Sequence, residues 1–309
     1  MLVKRSPPSQ IPGYTKVSFE HEQFRVIGRP LVSNEFLRAI IAANLFSIYQ
    51  EKSLLNFKHY IKLLFKIRSL KILDSKKIIT VYDFNSGGYF HWFLDALTRL
   101  VLIDNLHDYV LLLPLHIVKN SFITETLNFL GINYHFVDVG SILLNVTVVT
   151  VKFDYPSGNY DPDIVKNLQA RLQVIKKIPY RQVYISRGKA GRRKMIDENQ
   201  FIKEIIKLGF EVVYCEDMNF NQTKEFFSDV KILIAQHGAG LTNMLFMSSG
   251  SSVIEIRRSG DLHNNCFYSM ASELKHNYYY LFSNPVSDDL IAGDCHLDSR
   301  DLRKLLATI

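Results

Sequence analysis

The chain has 309 residues, 47 % of them apolar and 22 % charged, which excludes a disordered protein and fits a soluble, well-cored one of one or two domains. Its net charge of +7 points to an anionic partner (a nucleotide, nucleic acid or acidic membrane surface) or simply to a lysine-rich solvated face. Three scattered cysteines, Cys215, Cys266 and Cys295, form no CxxC pair, so they give no zinc-ribbon or thioredoxin signal and fit a reducing compartment.

The opening "MLVKRSPPSQIPGY" has no apolar signal-peptide core, and no run of about 18 apolar residues occurs. The expectation is a cytoplasmic protein, with the sequons at Asn145 and Asn221 as chance matches. Residues 1–35 read as irregular, with a short strand near "KVSFE". Phe36 to Leu73 reads as helical, with Lys58, Lys62 and Lys66 stacked beside apolar positions. Alternating elements follow: "KIITVYDF" as a strand, "YFHWFLDALTRLVLI" as a helix, "YVLLLP" as a strand, "NSFITETLNFLG" as a helix, then strands "YHFVDV" and "NVTVVTVKF".

After a turn at "YPSGNY" comes the helix "PDIVKNLQARLQVIKKI", and past Pro179 a second series begins. Its strands are "QVYIS", "EVVYC", "KILIA", "SVIEIR" and "NYYYLF", with helices between them and a last helix "SRDLRKLLATI". Continuous apolar strands alternating with helices imply parallel sheets covered on both faces. Having the pattern twice predicts an α/β protein of two doubly wound domains, 1–178 and 179–309.

Ligands of open parallel sheets bind at the carboxyl ends of the strands, and three features map there. In "YISRGKAGRR" a strand leads into Ser186, Arg187, Gly188, Lys189, Arg192 and Arg193. Four cations within seven residues repel one another, which a polyanion would relieve, and arginine forks bind phosphate oxygens in pairs; a solvated basic loop is the plain alternative. In "IAQHGAGLTNMLF" the turn His237, Gly238, Ala239, Gly240 joins a strand to a helix. Glycine there lets free backbone N–H groups approach an anion, or merely makes the turn tight. Glu255, ending "SVIEI", could accept bonds from two ribose hydroxyls, or pair with Arg257 or Arg258. Together the three describe a nucleotide site.

The stretches "GGYFHWFLDALTRL", "YISRGKAGRR" and "HGAGLTNMLFMSSGSSVIEI", in that order and spacing, resemble glycosyltransferase family 61. That family includes xylosyl- and N-acetylglucosaminyltransferases and bacterial polysaccharide-assembly enzymes. The resemblance covers roughly residues 78–283. It implies a GT-B architecture of two Rossmann-like domains facing across a cleft, with an acceptor-side domain first and a nucleotide-sugar domain second. It also implies inverting, metal-independent transfer from a nucleotide sugar, usually a UDP-sugar, to a glycan or lipid-linked hydroxyl. By motif position, Arg187 and Arg193 would hold the diphosphate, the His237–Gly240 turn and Asn243 would line the donor site, and Glu255 would meet the ribose. Ser186 and Arg192 belong to the same loop.

No metal or cofactor is expected. The D-x-D at Asp161 and Asp163 precedes a helix and suits capping better than Mn²⁺, and the arginine loop supplies fixed charge for the leaving diphosphate. Inversion needs a base for the acceptor proton. His91 and Asp95, four apart on one helix face after the Gly87–Gly88 turn, are the candidates. Asp95 comes first and His91 second, or Asp95 orients His91; core packing is the plain reading of Trp92 and Phe93. An esterase is disfavoured because no G-x-S-x-G occurs, and a nucleic-acid partner because no RNP-like or Arg/Gly-rich segment does. A catalytically inactive, nucleotide-binding relative is the alternative. The basic, apolar stretch 54–71 could touch the inner face of an anionic membrane, or pack as a helix on the first sheet.

Overall fold

A computed structural model describes residues 15–17, 31–37, 69–72, 77–82, 85–137, 141–144, 146–152, 157–158, 161–175, 177–260, 265–289 and 293–309. The chain divides into two compact units, Gly28–Tyr155 and the combination of Met1–Ile27 with Pro156–Ile309. Strand β1 (Thr15–Val17) belongs to the latter.

The Gly28–Tyr155 unit contains β2 (Leu31–Leu37), β3 (Ser69–Ile72), β4 (Lys77–Thr80), an irregular helix α1 over residues 89–100, β5 (Tyr109–Pro114), α2 (Ser121–Phe129), β6 (Tyr134–Val137), β7 (Ser141–Leu144) and β8 (Val146–Lys152). Its five-stranded sheet has the order β2-β8-β4-β5-β6, parallel except for β2 at the edge. β3 and β7 form a separate parallel pair. The sheet grows from β4 to β5 and β6 on one side and to β8 on the other, so β4 and β8 flank its topological switch point. The core is made by Ile78, Ile79, Leu111 and Leu113 against Trp92, Phe93, Leu97 and Leu100, all fully buried.

The helix expected from Phe36 to Leu73 does not hold at its ends. Phe36 and Leu37 lie in β2, and Ser69–Ile72 form β3. β2 pairs residue for residue with the distant β8, from Leu31↔Lys152 to Leu37↔Val146, so ladder bonds formed across the chain override a local helical period. The lysine-bearing part of the 54–71 stretch, with Lys58, Lys62 and Lys66, lies outside the described residues. No helix among the described residues is long and apolar enough to cross a membrane.

The second unit continues with α3 (Pro162–Arg171), β9 (Arg181–Ile185), α4 (Glu198–Lys207), β10 (Glu211–Val213), α5 (Phe220–Ser228), β11 (Val230–Gln236), a 3-10 helix (Ala239–Phe246), β12 (Ser252–Arg258), α6 (Cys266–Glu273), β13 (Asn277–Pro285), β14 (Cys295–His296) and α7 (Ser299–Leu306). Asp161 caps α3, its Oδ1 accepting from the backbone N–H of Asp163 (2.8 Å) and Ile164 (3.3 Å). The sheet order is β1-β13-β12-β11-β9-β10. The five strands from β13 to β10 are parallel, β1 is antiparallel at one edge, and β14 pairs antiparallel with the end of β13.

Numbered along the chain, the parallel strands lie in the order 2-1-3-4-5, a doubly wound arrangement whose switch point falls between β9 and β11. Alternate residues divide between the two faces. Ile232, Ile234, Ile254, Ile256 and Leu281 pack on Phe201 and Ile205 of α4 and on Leu302 and Leu305 of α7. On the other face Tyr278 meets Tyr268 of α6, ring centroids 5.4 Å apart.

The expected break near residue 178 contrasts with a division ahead of Pro156. α3 packs with the second unit: Gln169 Nε2 donates to the Leu245 carbonyl (2.8 Å), and Lys224 Nζ to the Leu172 carbonyl just past the helix (3.2 Å). The amphipathic pattern of α3 marks a face to bury but not which sheet receives it.

Candidate active site

The two strands flanking the second unit's switch point end in the two loops singled out from sequence. β9 runs into Ser186 and Arg187; β11 runs into His237 and Gly238. Because β9 and β11 are hydrogen-bonded neighbours, with Ile185 opposite Ala235, the arginine loop and the glycine turn rise side by side.

Glu198, at the start of α4, fixes the root of the loop. Its Oε1 accepts from the Tyr184 hydroxyl (2.8 Å) and from the Arg187 backbone N–H (2.9 Å). The buried Ser186 Oγ accepts from Gly188 N–H (3.0 Å), which closes the turn. Arg187 then folds back over its own loop, Nε donating to the Arg193 carbonyl and Nη2 to the Arg192 carbonyl, both at 3.1 Å. Among the described residues its guanidinium meets these two carbonyls and no carboxylate. Burial lowers its pKa, opposed by Glu216 and reinforced by the neighbouring Arg192 charge. Such a desolvated, incompletely paired cation gains from an anion placed against it.

Gly238 is where that anion would lie. A Cβ there would stand 2.6 Å from Arg187 Nη1 and 3.8 Å from Arg193 Nη1, so only a glycine lets both guanidinium groups reach the turn. Arg193 Nη1 also donates to the His237 carbonyl (3.0 Å), tying loop to turn. Gly240 answers a different demand: a Cβ there would meet Ile185 Cγ2 at 3.2 Å, so the turn packs directly on β9. Gly240 lies in the first turn of a 3-10 helix from Ala239 to Phe246, which is longer than such helices usually run. Ala239 and Gly240, its first two residues, have no intrahelical acceptor for their N–H groups, whereas the Leu241 N–H already bonds the Gly238 carbonyl (3.0 Å).

The remaining expected residues fall into two groups. Arg192 is exposed beside the cluster, and Ala239 is exposed at the head of the 3-10 helix. Lys189 is drawn away to Asp217 (Oδ2 at 2.6 Å) over the Tyr214 ring. Asn243 is buried and donates to Cys215 Sγ (3.3 Å), so it underpins the turn.

Glu255 is 0 % exposed, and its two oxygens are occupied from within. Oε1 lies 2.5 Å from His237 Nδ1, and Oε2 accepts from the Tyr278 hydroxyl. Burial alone would raise its pKa; the Arg257 charge, His237 and the two hydrogen bonds outweigh it and hold the carboxylate below its ordinary range. As it stands Glu255 holds His237 in orientation instead of offering its oxygens to a ribose. With Nδ1 engaged, His237 keeps Nε2 for the partly exposed side of the ring.

In the Gly28–Tyr155 unit, β4 leads past the Gly87–Gly88 turn into α1, again at a switch point. α1 is not uniform: Tyr89–His91 and Leu97–Leu100 are α-helical and Trp92–Ala96 is a π-helix, a local widening frequent at functional sites. Trp92 and Phe93 are core residues, Trp92 Nε1 donating to Thr126 Oγ1 (2.8 Å). His91 Nδ1 lies 2.6 Å from Asp95 Oδ2, the His91 side chain 32 % exposed and that of Asp95 7 %. The pair thus presents an imidazole outward and a carboxylate behind it.

Sequence reasoning passed over Glu198 and Tyr278, which build the second unit's site, and over the buried Gln236 at the end of β11; Arg258 it had weighed only as a partner for Glu255. Gln236 carried a signal, a lone amide in the apolar strand "KILIAQ"; Tyr278 and Glu198 are legible only once β12, β13 and α4 are placed.

A comparison with models of known families makes the chain a glycosyltransferase. Residues 89–254, more than half of its length, match the model described as Glycosyltransferase 61. The chain therefore belongs to the glycosyltransferase 61 family, and its activity has a sugar donor and an acceptor. Comparison with curated proteins gave no match. The matched segment runs from the start of α1 through the arginine loop and the glycine turn into β12, ending one residue before Glu255.

Proposed function

We propose that this glycosyltransferase moves a sugar from a UDP-sugar to a hydroxyl of a glycan or lipid-linked acceptor, with inversion, without a metal, in surface-polysaccharide assembly. The two units act as the acceptor and donor halves of a GT-B enzyme. The observation that carries the reading is the convergence of Arg187 and Arg193 on Gly238 beside the head of a helix, at the switch point of a doubly wound sheet. In the proposed reaction the acceptor oxygen attacks the anomeric carbon, and the bond from that carbon to the diphosphate breaks, leaving its electron pair on the β-phosphate oxygen. Arg187 and Arg193 stabilise that charge, each charge-assisted bond contributing roughly 1.5–3 kcal/mol. The acceptor proton passes to His91 Nε2, with Asp95 steadying the imidazolium that forms; the exposed imidazole and buried carboxylate favour this assignment over Asp95 as the base.

The test is thermal unfolding with UDP, GDP, CDP, CMP and ADP, each with EDTA and with Mn²⁺. UDP at a hundred times its Kd should raise the midpoint by roughly 5–10 °C. The shift should persist in EDTA and vanish in Arg187→Ala. A shift that requires Mn²⁺ overturns the metal-free reading, and no shift with any nucleotide overturns the donor site; a shift with no sugar transfer to any acceptor favours the inactive, nucleotide-binding relative.

A further inference from the structure

Behind the turn, on the sheet face away from Glu255, lies a small pocket lined by Arg193, Gln236, His237, Arg258, Ser283 and Cys295 together with Ile256. Its floor is buried: Gln236 and Arg258 are each 5 % exposed, and Ser283 and Cys295 less. Its rim is Arg193 and His237, which are half-buried and border the proposed diphosphate site.

Most polar groups of the floor are satisfied. Gln236 Nε2 lies 3.1 Å from Cys295 Sγ, Ser283 Oγ donates to the Arg257 carbonyl (3.0 Å), and Arg258 donates through Nη1 to the Gly293 carbonyl (3.1 Å) and through Nη2 to the Ser287 carbonyl (3.4 Å). Two atoms are not. Among the described residues, Gln236 Oε1 and Arg258 Nε are buried without a hydrogen-bond partner. One is an acceptor and the other a donor, and leaving each unmet costs on the order of 1–3 kcal/mol.

The pocket's volume, about 20 Å³, admits one oxygen-sized group and nothing larger. A group of that size that donates to Gln236 and accepts from Arg258 is a hydroxyl, or the water that holds its place until a hydroxyl arrives. A phosphate oxygen cannot donate, and an ammonium cannot accept. Turning the Gln236 amide over leaves its N–H₂ free instead; a hydroxyl oxygen accepts from that and from Arg258, as a phosphate oxygen also would, and the deoxy analogues tell the two apart.

We propose that this pocket is a hydroxyl subsite that reads one of the two sugar rings flanking the donor diphosphate, with Gln236 and Arg258 as specificity-determining residues. This rests on the nucleotide-sugar reading of the Arg187–Arg193–Gly238 corner. It also accounts for ring recognition where Glu255 is turned inward on His237. The transferred sugar is joined to the diphosphate through its anomeric carbon and the ribose through its C5′ methylene, and both supply the same hydroxyl chemistry.

The experiment is calorimetric titration of the full chain in EDTA with UDP, 2′-deoxy-UDP, 3′-deoxy-UDP, UDP-glucose and its deoxy-sugar analogues, against wild type and Gln236→Leu. Gln236→Glu, which keeps the acceptor, guards against a change that merely disturbs the strand. If the ribose is read, one deoxy-UDP should bind wild type about 10- to 100-fold more weakly than UDP, while Gln236→Leu should not distinguish the two and Gln236→Glu should. If the transferred sugar is read, the same pattern should appear for one deoxy analogue of UDP-glucose and for neither deoxy-UDP. Wild type that binds UDP yet tolerates every deletion overturns the subsite and leaves a resident water in the pocket. Wild type that binds none of these nucleotides overturns the donor reading itself, and the subsite with it.

Discussion

His237, the first residue past β11, and Glu255 in the neighbouring parallel β12 have their side chains joined at 2.5 Å, and the carboxylate also accepts from the Tyr278 hydroxyl. The backbone of the same histidine accepts from Arg193. One residue therefore links a buried carboxylate to the arginine loop.

Replacing that carboxylate separates its effects. Glu255→Gln keeps the shape but removes a buried negative charge that Arg257 and His237 stabilise, and disrupting such a network costs on the order of 3 kcal/mol. The protein should unfold at lower urea and bind UDP at least tenfold more weakly as His237 loses its fixed tautomer. Tyr278→Phe removes the hydroxyl that bonds Glu255 and Arg257 but leaves both charges in place, and should cost about 1–2 kcal/mol with little effect on UDP binding. Urea titration and calorimetry of both variants check the order.

The two glycines of the turn should fail in different ways. Gly238→Ala puts a methyl where Arg187 Nη1 now stands, and that flexible side chain can swing away. The φ of Gly238, +157°, is one that L side chains rarely adopt, so stability should fall by about 1–3 kcal/mol while UDP affinity falls 10- to 100-fold. Gly240→Ala presses on Ile185 in the core and should cost about 1–3 kcal/mol of stability. Denaturation midpoints and Kd values measured side by side would show the contrast.

His91 and Asp95 are separated by kinetics. Loss of a general base lowers turnover by about 10²–10⁴. His91→Gln should show that loss in kcat with KM little changed. Asp95→Asn should lose about tenfold to a hundredfold and shift the pH profile, because the imidazole remains and only its partner is neutral. Equal losses in the two variants, with the pH profile unmoved by Asp95→Asn, would return the base to Asp95.

His276 gives the protein an acid limit. It is fully buried, its Nε2 against the Met244 carbonyl at 3.0 Å, and burial pushes its pKa from 6.5 down to about 4. Above pH 6.5 the ring is neutral in folded and unfolded chains alike, so stability is complete. Between pH 6.5 and about 4 the unfolded chain takes up a proton that the folded one refuses, and roughly 3 kcal/mol is lost. His276→Gln should flatten the fall in unfolding midpoint across that window.

Much of the architecture was legible because apolar strands such as "YVLLLP" and "KILIA" leave few alternatives to burial in a parallel sheet. The Asp161 cap and both site loops were legible too, since turn chemistry and clustered charge are local. What was not legible depends on pairing. β2 exists because Val146–Lys152 is there to pair with it, and α3 belongs to the second unit because Leu245 offers it a carbonyl. The orientation of Glu255 is a matter of register: placed opposite Tyr280 and one strand from His237, its side chain points into the layer that Tyr278 fills. No local pattern in "SVIEI" distinguishes that from an outward carboxylate.

The attachment of α3 also decides where the second unit can be cut free. A piece beginning at residue 179 would discard Ile164, Val165 and Leu168, which are buried, and would strip Leu245 of the amide that now covers its carbonyl inside the 3-10 helix. Sawn off there, the turn that Gly238 opens would stand on an unbraced support. A free-standing half must start ahead of Asp161, carrying its entry helix with it as a keel, and must also keep β1 along the edge of β13.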